Sequence, residues 1–153
     1  FYGGAYGLFG NKLKTAMDAV VRRFGLTGLI SKKAGGLNDG YKKRLSMAVA
    51  LMHNPDILFL DEPTSSIDPL ARRLFWRSIN RLADEGKAII VTTHFMEEAE
   101  YCTRIAIQDR GHMLALGSPK EVKAVAGLPE TANMNEAFIK IVKAYGEAGP
   151  ADD

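Results

Sequence analysis

Two adjacent carboxylates, Asp61 and Glu62, directly follow the apolar run Ile57-Leu58-Phe59-Leu60. Paired negative charge at the end of such a run is costly to keep unless something compensates it. A Mg²⁺ ion and a polarised water would do so, and the chemistry is then phosphoryl transfer to water. One acid holds the metal, directly or through water, while its neighbour orients and deprotonates the attacking water. The competing reading is a surface acidic pair that caps the following turn. A second apolar run, Ala88 to Thr92, leads into Thr93 and His94. An imidazole there can reach a phosphate oxygen or the attacking water; its plainer role is a turn histidine bonded to backbone. Two polar clusters at two strand ends, converging on one crevice, favour the shared site.

The elements that must position these residues follow from the pattern. Leu13, Ala16, Met17, Val20, Val21 and Phe24 keep helical spacing over 12–24, and Gly25 is a C-terminal stop. A glycine- and lysine-rich loop spans 31–40, and a second helix is expected over 41–53. Asn54-Pro55-Asp56 breaks it. The run 57–60 predicts a strand buried on both faces of a parallel sheet. Asp68 caps the next helix with Pro69 at its first position, and Gly86 ends it. Ala88 to Thr92 predicts a second buried strand, followed by a short helix with Glu97 and Glu98 in its first turn. Segments 104–108 and 112–116 predict a hairpin joined at Asp109-Arg110-Gly111. Ser118-Pro119-Lys120-Glu121 reads as a capping box. A last amphipathic helix is expected over 135–143, with a polar, frayed tail over 146–153. Alternating strands and helices predict an α/β fold whose ligand lies at the carboxyl ends of the strands.

Composition sets the outer limits. The 153 residues are 46% hydrophobic and 25% charged with a net charge of +2, which argues against disorder and against a basic nucleic-acid footprint. The nearest basic cluster, Lys42-Lys43-Arg44, reads as a solvated face or as part of a phosphate-facing helix. The single cysteine, Cys102, excludes an internal disulfide and a zinc site built from cysteines. No apolar run approaches the roughly 20 residues of a membrane-spanning helix.

The run from Ile57 through Asp61-Glu62-Pro63-Thr64-Ser65-Ser66-Ile67-Asp68-Pro69 resembles the Walker B strand and D-loop of ATP-binding-cassette (ABC) ATPases. Thr92-Thr93-His94 with Glu97-Glu98-Ala99-Glu100 resembles their switch-histidine segment, and the similarity spans essentially the whole chain. The resemblance implies a partial P-loop NTPase-like ABC core, the parallel-sheet half, with part of the helical signature subdomain. Residues 1–54 are then helical signature subdomain, 55–125 the C-terminal half of the ATPase core, and 126–153 a C-terminal helix and tail. It implies Asp61 near Mg²⁺, Glu62 as catalytic base, Asp68 at a dimer seam and His94 on the γ-phosphate of ATP. The stretch from Asp68 to Tyr101 is most similar to the drug-efflux and ribosome-associated subfamilies.

Two departures qualify this. No G-x-x-x-x-G-K-S/T loop occurs, and Lys14-Thr15 lacks the preceding glycines. That loop supplies the backbone donors and the lysine that grip ATP phosphates. The chain is therefore expected to begin after it, as a portion of a longer protein, inactive alone. Where the family has L-S-G-G-Q, this sequence has Leu37-Asn38-Asp39-Gly40-Tyr41. Asn38, Asp39, Gly40 and Tyr41 would face the partner domain's ATP, and Asp39 puts a negative charge near a phosphate. The expected function is the ATP-hydrolysing part of an exporter: a head-to-tail pair of ATPase domains on a transmembrane permease, cytoplasmic and peripheral to the membrane. Direct nucleic-acid binding is not expected. The alternatives are a soluble ribosome-associated ATPase and a non-catalytic module that only dimerises.

Overall fold

The computed structural model describes residues 1–65 and 67–148; Ser66 of the expected D-loop and residues 149–153 of the expected tail lie outside them. The chain forms two compact units, Phe1–Thr92 and Thr93–Asp153. This is a different partition from the one expected at 54 and 125, which concerned subdomains of a larger ATPase.

The first unit opens with helices α1 (Tyr2–Ala5), α2 (Gly10–Arg23) and α3 (Asp39–Leu51), with two short 3₁₀ turns between α2 and α3. Gly25, at φ 65°, takes the left-handed conformation that ends α2. Helix α3 starts two residues before the expected position because Asn38 caps it: its Oδ1 accepts from the Tyr41 N–H at 3.0 Å. Strand β1 (Ile57–Asp61) and strand β2 (Ala88–Thr92) pair in parallel, Ile57 against Ala88 through Asp61 against Thr92. Between them runs α4 (Pro69–Asp84), capped by Asp68, whose Oδ1 accepts from the Ala71 N–H at 2.9 Å. Phe75, Trp76, Ile79 and Leu82 form its buried face. Lys87 fastens the amino ends of the two strands, donating to Asn54 Oδ1 at 2.9 Å and to the Pro55 carbonyl at 2.6 Å.

The expectation of strands buried on both faces is corrected here. Leu58 is 4% exposed, yet Phe59 is 75% exposed, and Ile57 and Ile90 are open as well. Among the described residues the parallel sheet has two strands, and its face carrying Ile57, Phe59 and Ile90 has no covering layer.

The second unit contains α5 (Met96–Ala99), an antiparallel hairpin of β3 (Ile105–Asp109) and β4 (His112–Gly117), α6 (Pro119–Val125) and α7 (Met134–Ala148). Arg110 and Gly111 both have positive φ, 47° and 84°, as a tight hairpin turn requires. The capping box is formed in full: Ser118 Oγ accepts from the Glu121 N–H while Glu121 Oε2 accepts from the Ser118 N–H. These bonds hold the Glu121 carboxyl below its ordinary range. The core joins Ala99, Ile107, Ala115, Val122, Met134, Ala137 and Ile141. Lys123, 6% exposed, sets its Nζ 2.6 Å from Glu100 Oε1 and donates to the Glu130 carbonyl. Helix α7 runs past the expected end near 143 and takes in Gly146–Ala148. No helix among the described residues is long and apolar enough to cross a membrane.

Candidate active site

The apolar side chains of β1 commit that strand to the sheet, and its last residue is Asp61. Register does the next step. Asp61 lies directly opposite Thr92, the last residue of β2, and in a parallel pair such residues face the same side. The Thr92 hydroxyl accordingly donates to Asp61 Oδ1 at 2.5 Å. A carboxylate has two oxygens, and this bond engages one of them.

The chain then turns sharply at Glu62, with φ 40°. A non-glycine residue in this left-handed region costs on the order of 1–3 kcal/mol and persists only where its surroundings over-determine it. The bonds around Glu62 do that. Its N–H points to the Thr92 carbonyl at 3.1 Å and the Thr92 hydroxyl at 3.2 Å. Its carbonyl accepts from the Ser65 N–H at 3.2 Å, the Ser65 hydroxyl at 2.9 Å and Lys43 Nζ at 3.3 Å. Thr64 within this turn is fully buried, whereas Asp61 and Glu62 remain exposed. The two acids therefore sit on a fixed backbone and face outward.

The N-terminus of α3 collects Asn38, Asp39, Gly40 and Tyr41. The Asn38 side-chain carbonyl is committed to the cap, which leaves its amide group as the available donor. Asp39 lies in the first turn, with Lys42 Nζ at 3.2 Å from its Oδ1. A methyl group added at Gly40 would meet only Asn38 Oδ1, at an ordinary 3.7 Å, so packing within the fold does not demand glycine there. The Arg44 guanidinium lies 5.5 Å from the Tyr41 ring centre. Lys42, Lys43 and Arg44 thus each have a partner, while Lys42 stays exposed and the other two half-buried.

Asp68 belongs to the same unit and spends Oδ1 on the α4 cap. His94 belongs to the second unit. It is exposed there, with its ring 4.1 Å from that of Phe95. The segment is set by Thr93, whose hydroxyl donates to Glu98 Oε2 at 2.7 Å and accepts from the Phe95 N–H at 3.1 Å. Glu98 is 1% exposed, so the acid expected merely to favour a helix start is a buried anchor.

Sequence reasoning missed Thr92, Lys43 and Ser65. Thr92 had a usable signal, since two strands of equal length in parallel register set their last residues side by side. Lys43 and Ser65 had none, because their bonds depend on how α3 crosses the turn after β1.

A first metal-site test is the donor set. Among the described residues no group of three or more His, Cys, Asp or Glu could hold a metal. Nucleotide-bound Mg²⁺ does not need one: it takes one or two carboxylates, phosphate oxygens and waters. Asp61, hard and exposed at a strand end, fits that role.

The ABC transporter family model matches residues 6–65, and an AAA domain model matches residues 37–98. The Probable multidrug ABC transporter ATP-binding protein YbhF of Escherichia coli (strain K12) is 45% identical over 144 residues, 93% of this chain and 25% of that protein. The Linearmycin resistance ATP-binding protein LnrL of Bacillus subtilis (strain 168) is 34% identical over 149 residues, 94% of this chain and 48% of that protein. A solved structure, "Structure of ATP binding subunit of ABC transporter", aligns with TM-score 0.77 at 25% identity, covering 92% of this chain and 59% of that one. The chain spans between a quarter and about half the length of these two relatives. The acids at the end of β1, the parallel pair that carries them and these matches agree: the chain belongs to the ATP-binding domain family of ABC transporters.

Proposed function

We propose that the chain forms part of the ATPase of an ABC exporter and supplies the hydrolytic acids of one ATP site. The observation that carries this reading is the turn after β1, where Asp61 is bonded to Thr92 and Glu62 is locked at positive φ. Asp61 holds Mg²⁺, which supplies charge neutralisation at the phosphates when bound. Glu62 takes the proton of the attacking water. His94 contacts the γ-phosphate. Asn38 to Tyr41 face the ATP held by a second ATPase domain, and Asp68 lies at the seam with that domain. A transmembrane permease places the assembly at the membrane's cytoplasmic face. The names of YbhF and LnrL, multidrug transport and linearmycin resistance, support export as the work done.

Asp61→Asn in the full-length protein tests the metal role. Mg²⁺-dependent turnover falls by about 100-fold, in line with losing an electrostatic group of the transition state. Turnover that matches wild type at all Mg²⁺ concentrations would remove Asp61 from the site.

A further inference from the structure

We propose that Lys43 is a positioning residue for hydrolysis, acting on Glu62 through the backbone of the turn after β1. This rests on the reading of Glu62 as the base. Lys43 stands on α3, two residues beyond Tyr41, and its Nζ spans two acceptors of the turn after β1. It donates to the Glu62 carbonyl at 3.3 Å and to the Ser65 hydroxyl at 3.4 Å. That hydroxyl in turn donates to the same Glu62 carbonyl at 2.9 Å. Lysine suits this bridge because an ammonium carries three donors that rotate freely on a flexible stem.

The target, Glu62, is at positive φ among the described residues of the turn. Glu62 at φ 40° has a more relaxed extended conformation available, which would swing its carboxylate to another direction. Three donors converging on its carbonyl oppose that change. Two come from Ser65 in the turn itself and one from helix α3, whose N-terminus is assigned to a second domain's nucleotide. A shift of α3 therefore reaches Glu62 without passing through any nucleotide contact of its own. Lys42 and Arg44 do not share the role, since they engage Asp39 and the Tyr41 ring.

Steady-state ATPase kinetics of the full-length protein test this, with Lys43→Met, Lys43→Arg, Ser65→Ala and Glu62→Gln measured together. Lys43→Met lowers kcat about tenfold, the scale of one hydrogen bond from a charged group, with KM for ATP unchanged. Lys43→Arg, which keeps the cation and its donors, recovers most of that loss. Ser65→Ala gives a smaller fall, again in kcat alone, and carries the test should Lys43→Met fail to fold. A kcat within twofold of wild type for Lys43→Met overturns the proposal while Glu62→Gln remains inactive. So does an equal loss in Lys43→Arg, or a rise in KM that accounts for the change. Full turnover in Glu62→Gln would instead overturn the assignment of the base.

Discussion

Asp39 occupies the first turn of α3 with its carboxylate 3.2 Å from Lys42 Nζ. A negative charge is favourable at a helix N-terminus, so the residue suits the helix. For the same reason it offsets the positive end that would otherwise attract a phosphate. Asp39→Gly in the full-length protein is expected to raise ATP turnover several-fold, by about the 0.3–1 kcal/mol of a helix-terminal charge. Phosphate-release assays check this, and an unchanged or lower rate counts against a role for this helix end at ATP. Cys102 behaves oppositely to a reactive thiol. Burial, and then the nearby Glu98 charge, push its pKa above the ordinary 9.0, and its Sγ lies 3.8 Å from the Glu98 carbonyl. A raised folded-state value means the folded protein binds the thiol proton more tightly than the unfolded chain. That contribution is full below the ordinary value and is lost as pH rises through the folded one. Iodoacetamide at pH 8 should therefore modify native Cys102 more slowly than the same thiol in urea. Equal rates would show that the fold does not shelter it.

At the scale of elements, caps were legible because they are local. Asp68-Pro69 and Ser118 with Glu121 each declare a helix start within four residues, and both form as expected. The cap at Asp68 also allows stability to be separated from any role at a seam. Asp68→Ala should cost about 1 kcal/mol in urea denaturation, whereas Asp68→Asn, which keeps a capping oxygen, should cost a few tenths. Equal losses in both would mean that the charge, not the cap, matters to the fold. The start of α3 is harder to read because Asp39-Gly40 has loop-like residue types, whereas the structure begins the helix there with Asn38 accepting from the Tyr41 N–H. The exposure of β1 was illegible for another reason. Ile57-Leu58-Phe59-Leu60 is uniformly apolar, so its pattern cannot tell a doubly covered strand from one covered on a single face. The α/β class survived this, since it depends on element order alone.

At the scale of the molecule, each unit has buried apolar residues of its own, and the first also keeps an open face of Ile57, Phe59 and Ile90. The acids were legible as a pair from their place after an apolar strand. Their support was not: Thr92 is 31 residues from Asp61 and Lys43 is 19 residues before Glu62, and only the fold brings them together. The bonds around Glu62 explain how this turn is held. The most direct measurement is ATP turnover beside ATP binding in the full-length protein carrying Glu62→Gln. Removing a general base should lower turnover by at least about 100-fold while a fluorescent ATP analogue still binds with wild-type affinity. Turnover that stays near wild type with binding intact would contradict the assignment of Glu62, and with it the account of this turn as the hydrolytic centre.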